Sequence, residues 1–139
     1  PPPDAAGCTT LERAVRIRCF RLGTPTVDLS RLARATVRAA RMAFTNANLG
    51  IHPIDVLKSH NPFAVNDILF AREMGIDVNS MNNYGSSLIW GHPQAPTGLR
   101  SVIEMIEELV LRGGGYGLFE GCAAGDSAMA LVVQVDSAG

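Results

Sequence analysis

The sequence predicts an α/β fold in which helices cover both faces of one mixed sheet. First, segments with strand and helix periodicity follow one another in the order strand, helix, strand, helix, strand, helix, strand, strand. Second, the run of residues 54–57 is apolar with a single charge, as in a strand that is covered on both faces. Third, hydrophobic residues make up 47% of the chain and charged residues 18%, which is typical of a domain buried on more than one side. We therefore expect five strands in one sheet.

The first half of the chain supplies two strands and one helix. Residues 15–20 alternate apolar side chains with arginines, as in a half-exposed strand. Asp28 or Ser30 can cap the helix that follows, whose apolar face consists largely of small residues. Residues 54–57 form the next strand, and His60 comes directly after it.

The second half contributes two helices, three strands and one long loop. Pro62 suits a first helical position, and residues 63–74 have apolar side chains at helical spacing. Residues 77–81 are a weak strand, and the loop 82–97 is rich in Gly, Ser, Asn and Pro. The remaining elements are an amphipathic helix over 99–110 and strands over 116–121 and 127–135, joined by the turn that carries Cys122.

Size, charge and cysteine content limit the classes of function. The 139 residues are enough for one domain with its own core, and a net charge of -1 is too balanced for nucleic acid or an anionic membrane to be the main ligand. No apolar run is long enough to cross a bilayer. The three cysteines have neither the spacing of metal ligands nor an even number for disulfides, so we expect no metal site and free thiols in a reducing compartment, the cytoplasm.

Three loop residues carry side chains suited to acyl transfer. His60 begins the segment His60-Asn61-Pro62-Phe63, His92 lies in Gly91-His92-Pro93, and Cys122 follows an apolar strand. Taken singly, each is more often structural, because a buried thiol behaves as a small hydrophobe and most histidines serve as hydrogen-bonding groups. Taken together, a thiol and two imidazoles can move a proton and stabilise a developing oxyanion.

These motifs, in this order, resemble the carboxyl-terminal half of the thiolases, including the branch of the sterol-carrier-protein thiolases. The resemblance covers residues 14–139 and implies a thiolase-like layered α-β-α half, with residues 1–13 as the tail of the amino-terminal half or a linker. It implies that His92 activates the nucleophilic cysteine and helps to hold the thioester oxygen. His60 would be the second oxyanion-hole side chain, and Cys122 would exchange a proton with the substrate's α-carbon.

The resemblance also assigns oxyanion-hole or substrate-binding roles around the two loops. The backbone N–H groups of Ala123 and, above all, Ala124 would face a second oxyanion, and Asn82 and Gly91 would bind substrate. The sequence departs from the family where glycines are usual, at Ala124-Gly125-Asp126 and at Gln94-Ala95-Pro96. Since a residue with a Cβ does not readily adopt a positive φ, these changes can alter the substrate class.

The implied activity is acyl transfer on acyl-CoA thioesters, by Claisen condensation or by thiolytic cleavage of a 3-ketoacyl-CoA. Coenzyme A would be a substrate, and no cofactor would be bound permanently. The family keeps its acylated cysteine in the amino-terminal half, and Cys8 and Cys19 have the wrong surroundings to replace it. We therefore expect an amino-terminal thiolase half, in the same or a separate chain, and a homo-oligomer.

Two alternatives stay open at this point. The first is a thiolase-like aldol lyase that cleaves a β-hydroxyacyl-CoA without an acyl-cysteine and works with an accessory subunit. The second is a non-catalytic assembly domain, which the departures at Ala95 and Ala124 favour.

Overall fold

The computed structural model describes residues 15–22, 32–123 and 127–137 of the chain. These residues form the strands and helices β1 Val15–Leu22, α1 Leu32–Ala47, β2 Ile54–Ser59, α2 Ala64–Met74, α3 Ser87–Trp90, α4 Ala95–Arg112, β3 Gly115–Cys122 and β4 Ala128–Val135. The expected helix cap at Asp28 or Ser30, the segment 1–13 and Ala124 lie outside the described residues. Within the described ranges, no helix is long and apolar enough to span a membrane.

The strands form one mixed sheet in the order β1-β4-β3-β2. β4 pairs antiparallel with β1 and with β3, whereas β2 runs parallel to β3. The predicted α/β class and the mixed sheet are confirmed. The prediction of five strands is wrong, because the sheet of the described residues has four.

Residues 77–81 account for the missing strand. Asp77 caps a 3₁₀-helix over Val78–Ser80, and its carboxylate accepts hydrogen bonds from the backbone N–H and from the side-chain Nδ2 of Asn79, each at 2.9 Å. A local side-chain hydrogen bond of this kind competes with strand pairing. Instead of a strand, the segment forms an isolated parallel bridge between Met81 and Leu57 of β2.

The alternation of side chains along the strands divides the core into two layers, one on each face of the sheet. On one face α1 lies close to the sheet, because Ala39, Ala40 and Ala43 are fully buried and small. α2 completes this layer with Phe70 and Ala71. On the other face, α4 builds a core of Met105 and Leu109 with Val56, Phe119, Val133 and Val135. The sheet is therefore covered on both sides, as a layered α-β-α arrangement requires.

Two strand ends and one helix start meet at the same edge of the sheet. Because β2 and β3 are parallel, their carboxyl ends lie side by side. His60 extends β2 and donates its backbone N–H to the carbonyl of Glu120 at 3.1 Å, while Cys122 ends β3. α4 packs against both strands and begins at Ala95, shortly after His92. This edge therefore collects all three predicted catalytic side chains.

Candidate active site

One cavity of about 350 Å³ lies at this edge of the sheet. It is lined by His60, His92, Gln94, Ala95, Gly98, Phe119, Gly121, Cys122, Ala123 and Met129. The two histidines and the thiol come from three separate segments of the chain, and the remaining lining is largely apolar. The structure thus brings His60, His92 and Cys122 together around one space, whereas their catalytic roles stay predictions.

His60 is half-buried and faces the second imidazole. The ring centroids of His60 and His92 are 4.8 Å apart, and the ring planes are inclined by 66°, an edge-to-face contact. Burial and the neighbouring His92 lower the pKa of His60 from its ordinary value. These effects favour the neutral form of His60, in which an imidazole has one N–H donor and one acceptor nitrogen.

The loop around His92 has an unusual backbone that turns the chain into α4. Gly91 has φ 82°, and Gln94 reaches φ 58° immediately before the helix. Nδ1 of His92 lies 3.1 Å from the hydroxyl of Thr97, which is itself buried in the first turn of α4. This contact fixes the orientation of the ring and occupies one of its two nitrogens.

Cys122 is a free, half-buried thiol at the end of β3. The residue after it does not fulfil its predicted role: the N–H of Ala123 donates to the carbonyl of Ser127 at 2.9 Å and so is already engaged. The prediction that this N–H faces a substrate oxyanion is wrong. The corresponding prediction for Ala124 falls on a residue that the structure does not describe.

Asn82 and Gly91 are not among the residues that line the cavity. The Asn82 side chain faces β2 instead, where Oδ1 accepts the backbone N–H of Ser59 at 2.8 Å and Nδ2 donates to the Ser59 hydroxyl at 2.9 Å. Asn82 thus holds its loop against β2, and the substrate-binding roles of Asn82 and Gly91 stay predictions.

Gly121 is a lining residue that the sequence analysis did not single out. A Cβ at this position would approach Nδ1 of His60 to 3.1 Å and the ring of Phe119 to 3.3 Å. Both distances are shorter than ordinary van der Waals contact, so a side chain here would require the imidazole of His60 and the ring of Phe119 to shift. The missing side chain allows His60 to sit beside β3.

A buried polar network, also missed from the sequence, lies behind His60 on the face that α2 covers. Its centre is Asp67 of α2, which is 7% exposed. Ser59 donates its hydroxyl to one carboxylate oxygen at 2.6 Å, and the other oxygen accepts the side-chain N–H groups of Asn61 and, at 3.1 Å, of Asn82. Burial raises the pKa of Asp67, although these three hydrogen bonds oppose the shift.

Glu120 of β3 is the second carboxyl group of this region and is 2% exposed. Burial and the charge of Asp67 raise the pKa of Glu120 to about 8, while a hydrogen bond with Thr36 of α1 opposes the shift. Glu120 is therefore mainly protonated at pH 7. The signal in the sequence was a single acidic residue in the apolar run 116–121, but its partners are distant in the chain.

A different buried network occupies the opposite face of the same strand end. Lys58 Nζ lies 3.0 Å from the carboxylate of Glu108 in α4, and both side chains are at least 95% buried. Asn83 and Arg112 also donate to this carboxylate, each at 2.7 Å, and the Lys58 ammonium lies 4.5 Å from the ring centroid of Tyr84. Burial alone would raise the pKa of Glu108, but the hydrogen bonds and the charge of Lys58 lower it overall.

Metal-ion binding finds no support in the part of the chain that the structure describes. There, no group of three or more His, Cys, Asp or Glu side chains is arranged to hold a metal ion.

The chain resembles known proteins over most of its length. The family model of the thiolase C-terminal domain matches residues 13–135. The 3-ketoacyl-CoA thiolase of Pseudoalteromonas atlantica is 36% identical, across 70% of this chain and 26% of its own length.

Two solved structures share the fold. Human mitochondrial 3-ketoacyl-CoA thiolase superposes with a TM-score of 0.80 at 26% identity, over 86% of this chain and 30% of that one. The acetyl-CoA acetyltransferase of Bacillus anthracis gives a TM-score of 0.80 at 25% identity, over 87% of this chain and 30% of that one. The chain therefore spans less than a third of the length of these relatives. Since the family match runs through every described strand and helix, this chain belongs to the family of thiolase C-terminal domains.

Proposed function

We propose that this domain supplies the acid–base thiol and two oxyanion-binding imidazoles of an acyltransferase that acts on acyl-CoA thioesters. The reaction would be a Claisen condensation or the thiolytic cleavage of a 3-ketoacyl-CoA, with coenzyme A as substrate. The observation that carries the proposal is the single cavity lined by His60, His92 and Cys122. The relatives named 3-ketoacyl-CoA thiolase support the choice of substrate class.

The central chemical problem is the negative charge that forms on a thioester oxygen. Removing a proton from the α-carbon moves an electron pair into the carbonyl group and creates an enolate, which hydrogen-bond donors aimed at the oxygen stabilise. Neutral His60 retains one N–H donor, and its edge-to-face contact with His92 brings two imidazoles to the same space. Since the Thr97 hydroxyl engages Nδ1 of His92, Nε2 is the nitrogen that would face a reacting group.

Cys122 would move the α-proton. In the direction of synthesis its thiolate accepts the proton, and the resulting carbanion attacks the carbonyl carbon of an acyl group. The family resemblance implies that this acyl group is carried by a cysteine of the amino-terminal half, whose sulfur is the leaving group. An amino-terminal half, in the same or a separate chain, is therefore part of the proposal, as are a homo-oligomer and a cytoplasmic location.

Acyl transfer from a 3-ketoacyl-CoA to coenzyme A, measured in the full-length protein, tests this proposal. Cys122→Ser and His92→Ala should each lower kcat by about a hundredfold or more, the scale expected for a lost acid–base or oxyanion group. His52→Ala is the matched control, because His52 is exposed and outside the cavity, and it should leave turnover unchanged. Unchanged turnover in both site variants would remove the assignment.

The same assay separates the proposal from its rivals. Cleavage of a β-hydroxyacyl-CoA without a trappable acyl-enzyme would support an aldol lyase instead. Absence of turnover on either substrate in the wild-type protein would support a non-catalytic assembly domain.

A further inference from the structure

Asp67 joins three segments of the chain through one buried carboxylate. The hydroxyl of Ser59, at the end of β2, donates to Oδ1 at 2.6 Å. The side-chain amides of Asn61, before α2, and of Asn82, in the loop after the 3₁₀-helix, donate to Oδ2. All three donors are uncharged, so this carboxylate acts as a hydrogen-bond acceptor and not as one half of an ion pair.

The two residues that flank His60 are both held by this carboxylate. Ser59 precedes His60 and Asn61 follows it, and each bonds to a different oxygen of Asp67. The His60 backbone N–H is fixed on the opposite side by the carbonyl of Glu120. The backbone on both sides of the imidazole is therefore restrained, although the imidazole itself makes no hydrogen bond with Asp67.

Asn82 extends the same restraint to the loop that leads to His92. Its backbone N–H donates to the carbonyl of Leu57 at 2.9 Å, and its side chain bonds both to Ser59 and to Asp67. Asn82 has φ 53°, in the left-handed region of backbone conformation. An asparagine can adopt this conformation when the hydrogen bonds of its side chain hold it there. One carboxylate thus links the strand end beside His60 to the start of the segment that carries His92.

We propose that Asp67 is a positioning residue for the acyl-transfer reaction, which holds the imidazole of His60 against that of His92 by anchoring Ser59, Asn61 and Asn82. The inference rests on the proposed function for its kinetic consequence. Its structural content, the placement of His60, does not depend on that function.

Two variants probe the acceptor role of Asp67 at nearly constant volume. Asp67→Asn replaces one acceptor oxygen by a donor. If this donor faces Asn82, two amide donors oppose each other, since Asn82 Oδ1 is already committed to the Ser59 N–H; if it faces Ser59, the Ser59 hydroxyl loses the acceptor of its proton. In the exchange variant Asp67→Asn/Asn82→Asp, the amide at position 67 can donate to the carboxylate at position 82, so that a donor again faces an acceptor. Asn61 can adapt in both variants by rotating its amide, because its Oδ1 is buried without a hydrogen-bond partner.

Phe70→Leu serves as the control for a general loss of stability. Phe70 lies in the same helix, is completely buried and belongs to the apolar core, and its side chain has no group that could donate or accept a hydrogen bond in the polar network. Its loss of packing should lower the melting temperature of the protein, and we expect the hydrogen bonds of Asp67 to remain.

Kinetics of the full-length protein give the first readout. We expect Asp67→Asn to lower kcat by about tenfold to a hundredfold, the effect of a catalytic group displaced by about 1 Å, with KM changed by less than about threefold. The exchange variant should recover most of the loss, and Phe70→Leu should retain the wild-type kcat below its melting temperature. Equal kcat in Asp67→Asn and Phe70→Leu would overturn the proposal.

Titration of the His60 ring protons by NMR gives a readout without catalysis. Burial and His92 hold the pKa of His60 low in the wild type. Once the anchoring is lost in Asp67→Asn, the pKa of His60 should rise towards its ordinary value. It should stay low in Phe70→Leu, and in the exchange variant it should return to the low value of the wild type. If the wild type is inactive but the pKa of His60 still rises in Asp67→Asn, the proposed function is refuted and the positioning role of Asp67 is retained. If the pKa of His60 is unchanged in Asp67→Asn, the positioning role is refuted.

Discussion

The end of β2 separates two buried carboxylates that are stabilised in opposite ways. On the face of α4, Glu108 is paired with Lys58 and Arg112, and hydrogen bonds and charge lower its pKa. On the face of α2, Asp67 receives only neutral donors and its pKa is raised. Lys58 and Ser59 are neighbours in the chain, and the alternation of a strand sends one towards each network.

The difference teaches what each network contributes. A buried ion pair firmly holds together the two secondary-structure elements that it joins. If one partner is removed, the other is left as an unpaired buried charge, which is strongly destabilising. A carboxyl group among neutral donors offers directional acceptors, and it can be protonated when no cation compensates it. We conclude that the Lys58–Glu108 network ties α4 to the sheet, whereas the Asp67 network sets the geometry beside the two histidines.

The largest effect should come from breaking the ion pair. Lys58→Met leaves the buried Glu108 carboxylate without its buried cation, and we expect the free energy of unfolding to fall by about 3 to 5 kcal/mol. Chemical denaturation of the full-length protein measures this change in the free energy of unfolding. Lys58→Met/Glu108→Leu should recover most of this loss, because no buried charge is then left unpaired and Arg112, which also loses its partner, is half exposed. Arg112→Gln is the control, since Arg112 is half exposed and its removal should cost less than about 1 kcal/mol.

The next effect concerns Glu120 and develops as pH rises from about 4.5 to about 8. Its pKa is about 8 in the folded protein and 4.5 ordinarily, so the unfolded chain holds fewer protons between these values. Stability should therefore fall as pH rises through this window, by up to about 1.4 kcal/mol per pH unit. Glu120→Gln cannot ionise and should melt at a higher temperature than the wild type at alkaline pH. The two proteins should converge near pH 4.5, and parallel melting curves over the whole window would contradict the assignment.

A smaller effect, with the opposite dependence on pH, is expected for Asn83. Asn83→Ala removes one donor to the charged Glu108, which should cost about 1.5 to 2 kcal/mol at pH 7. Because the pKa of Glu108 is lowered in the folded protein, this stabilisation is fully present above its ordinary value of 4.5 and is lost as pH falls through the folded value. The difference in melting temperature between variant and wild type should therefore shrink in acid. A difference independent of pH would mean that Asn83 acts without the Glu108 charge.

Much of the fold was predictable because the apolar periodicity is itself the physical cause of the layers. The amphipathic pattern over 99–110 corresponds to α4, and the apolar runs near the end of the chain correspond to β3 and β4. The strand expected at 77–81 failed because the Asp77 side chain bonds to the backbone two residues on, a local competition that periodicity does not report.

The sequence predicted which types of side chain form the candidate site, but it did not predict which residues interact with them. A thiol and two imidazoles could be proposed from their loops, and the parallel pairing of β2 and β3 explains why they share an edge. The polar residues Lys58, Asp67 and Glu120 stand out in apolar surroundings of the sequence. Their partners are distant in the chain, so the sequence could not reveal which carboxylate is compensated by charge and which is protonated.

Exchange of the α-hydrogens of acetyl-CoA with solvent deuterium tests the role of the cavity most directly, because it follows the proton that Cys122 is proposed to move. The full-length wild-type protein should catalyse this exchange. Cys122→Ser should slow it by about a hundredfold or more, and His52→Ala should leave it unchanged. Exchange at the wild-type rate in Cys122→Ser would contradict the account.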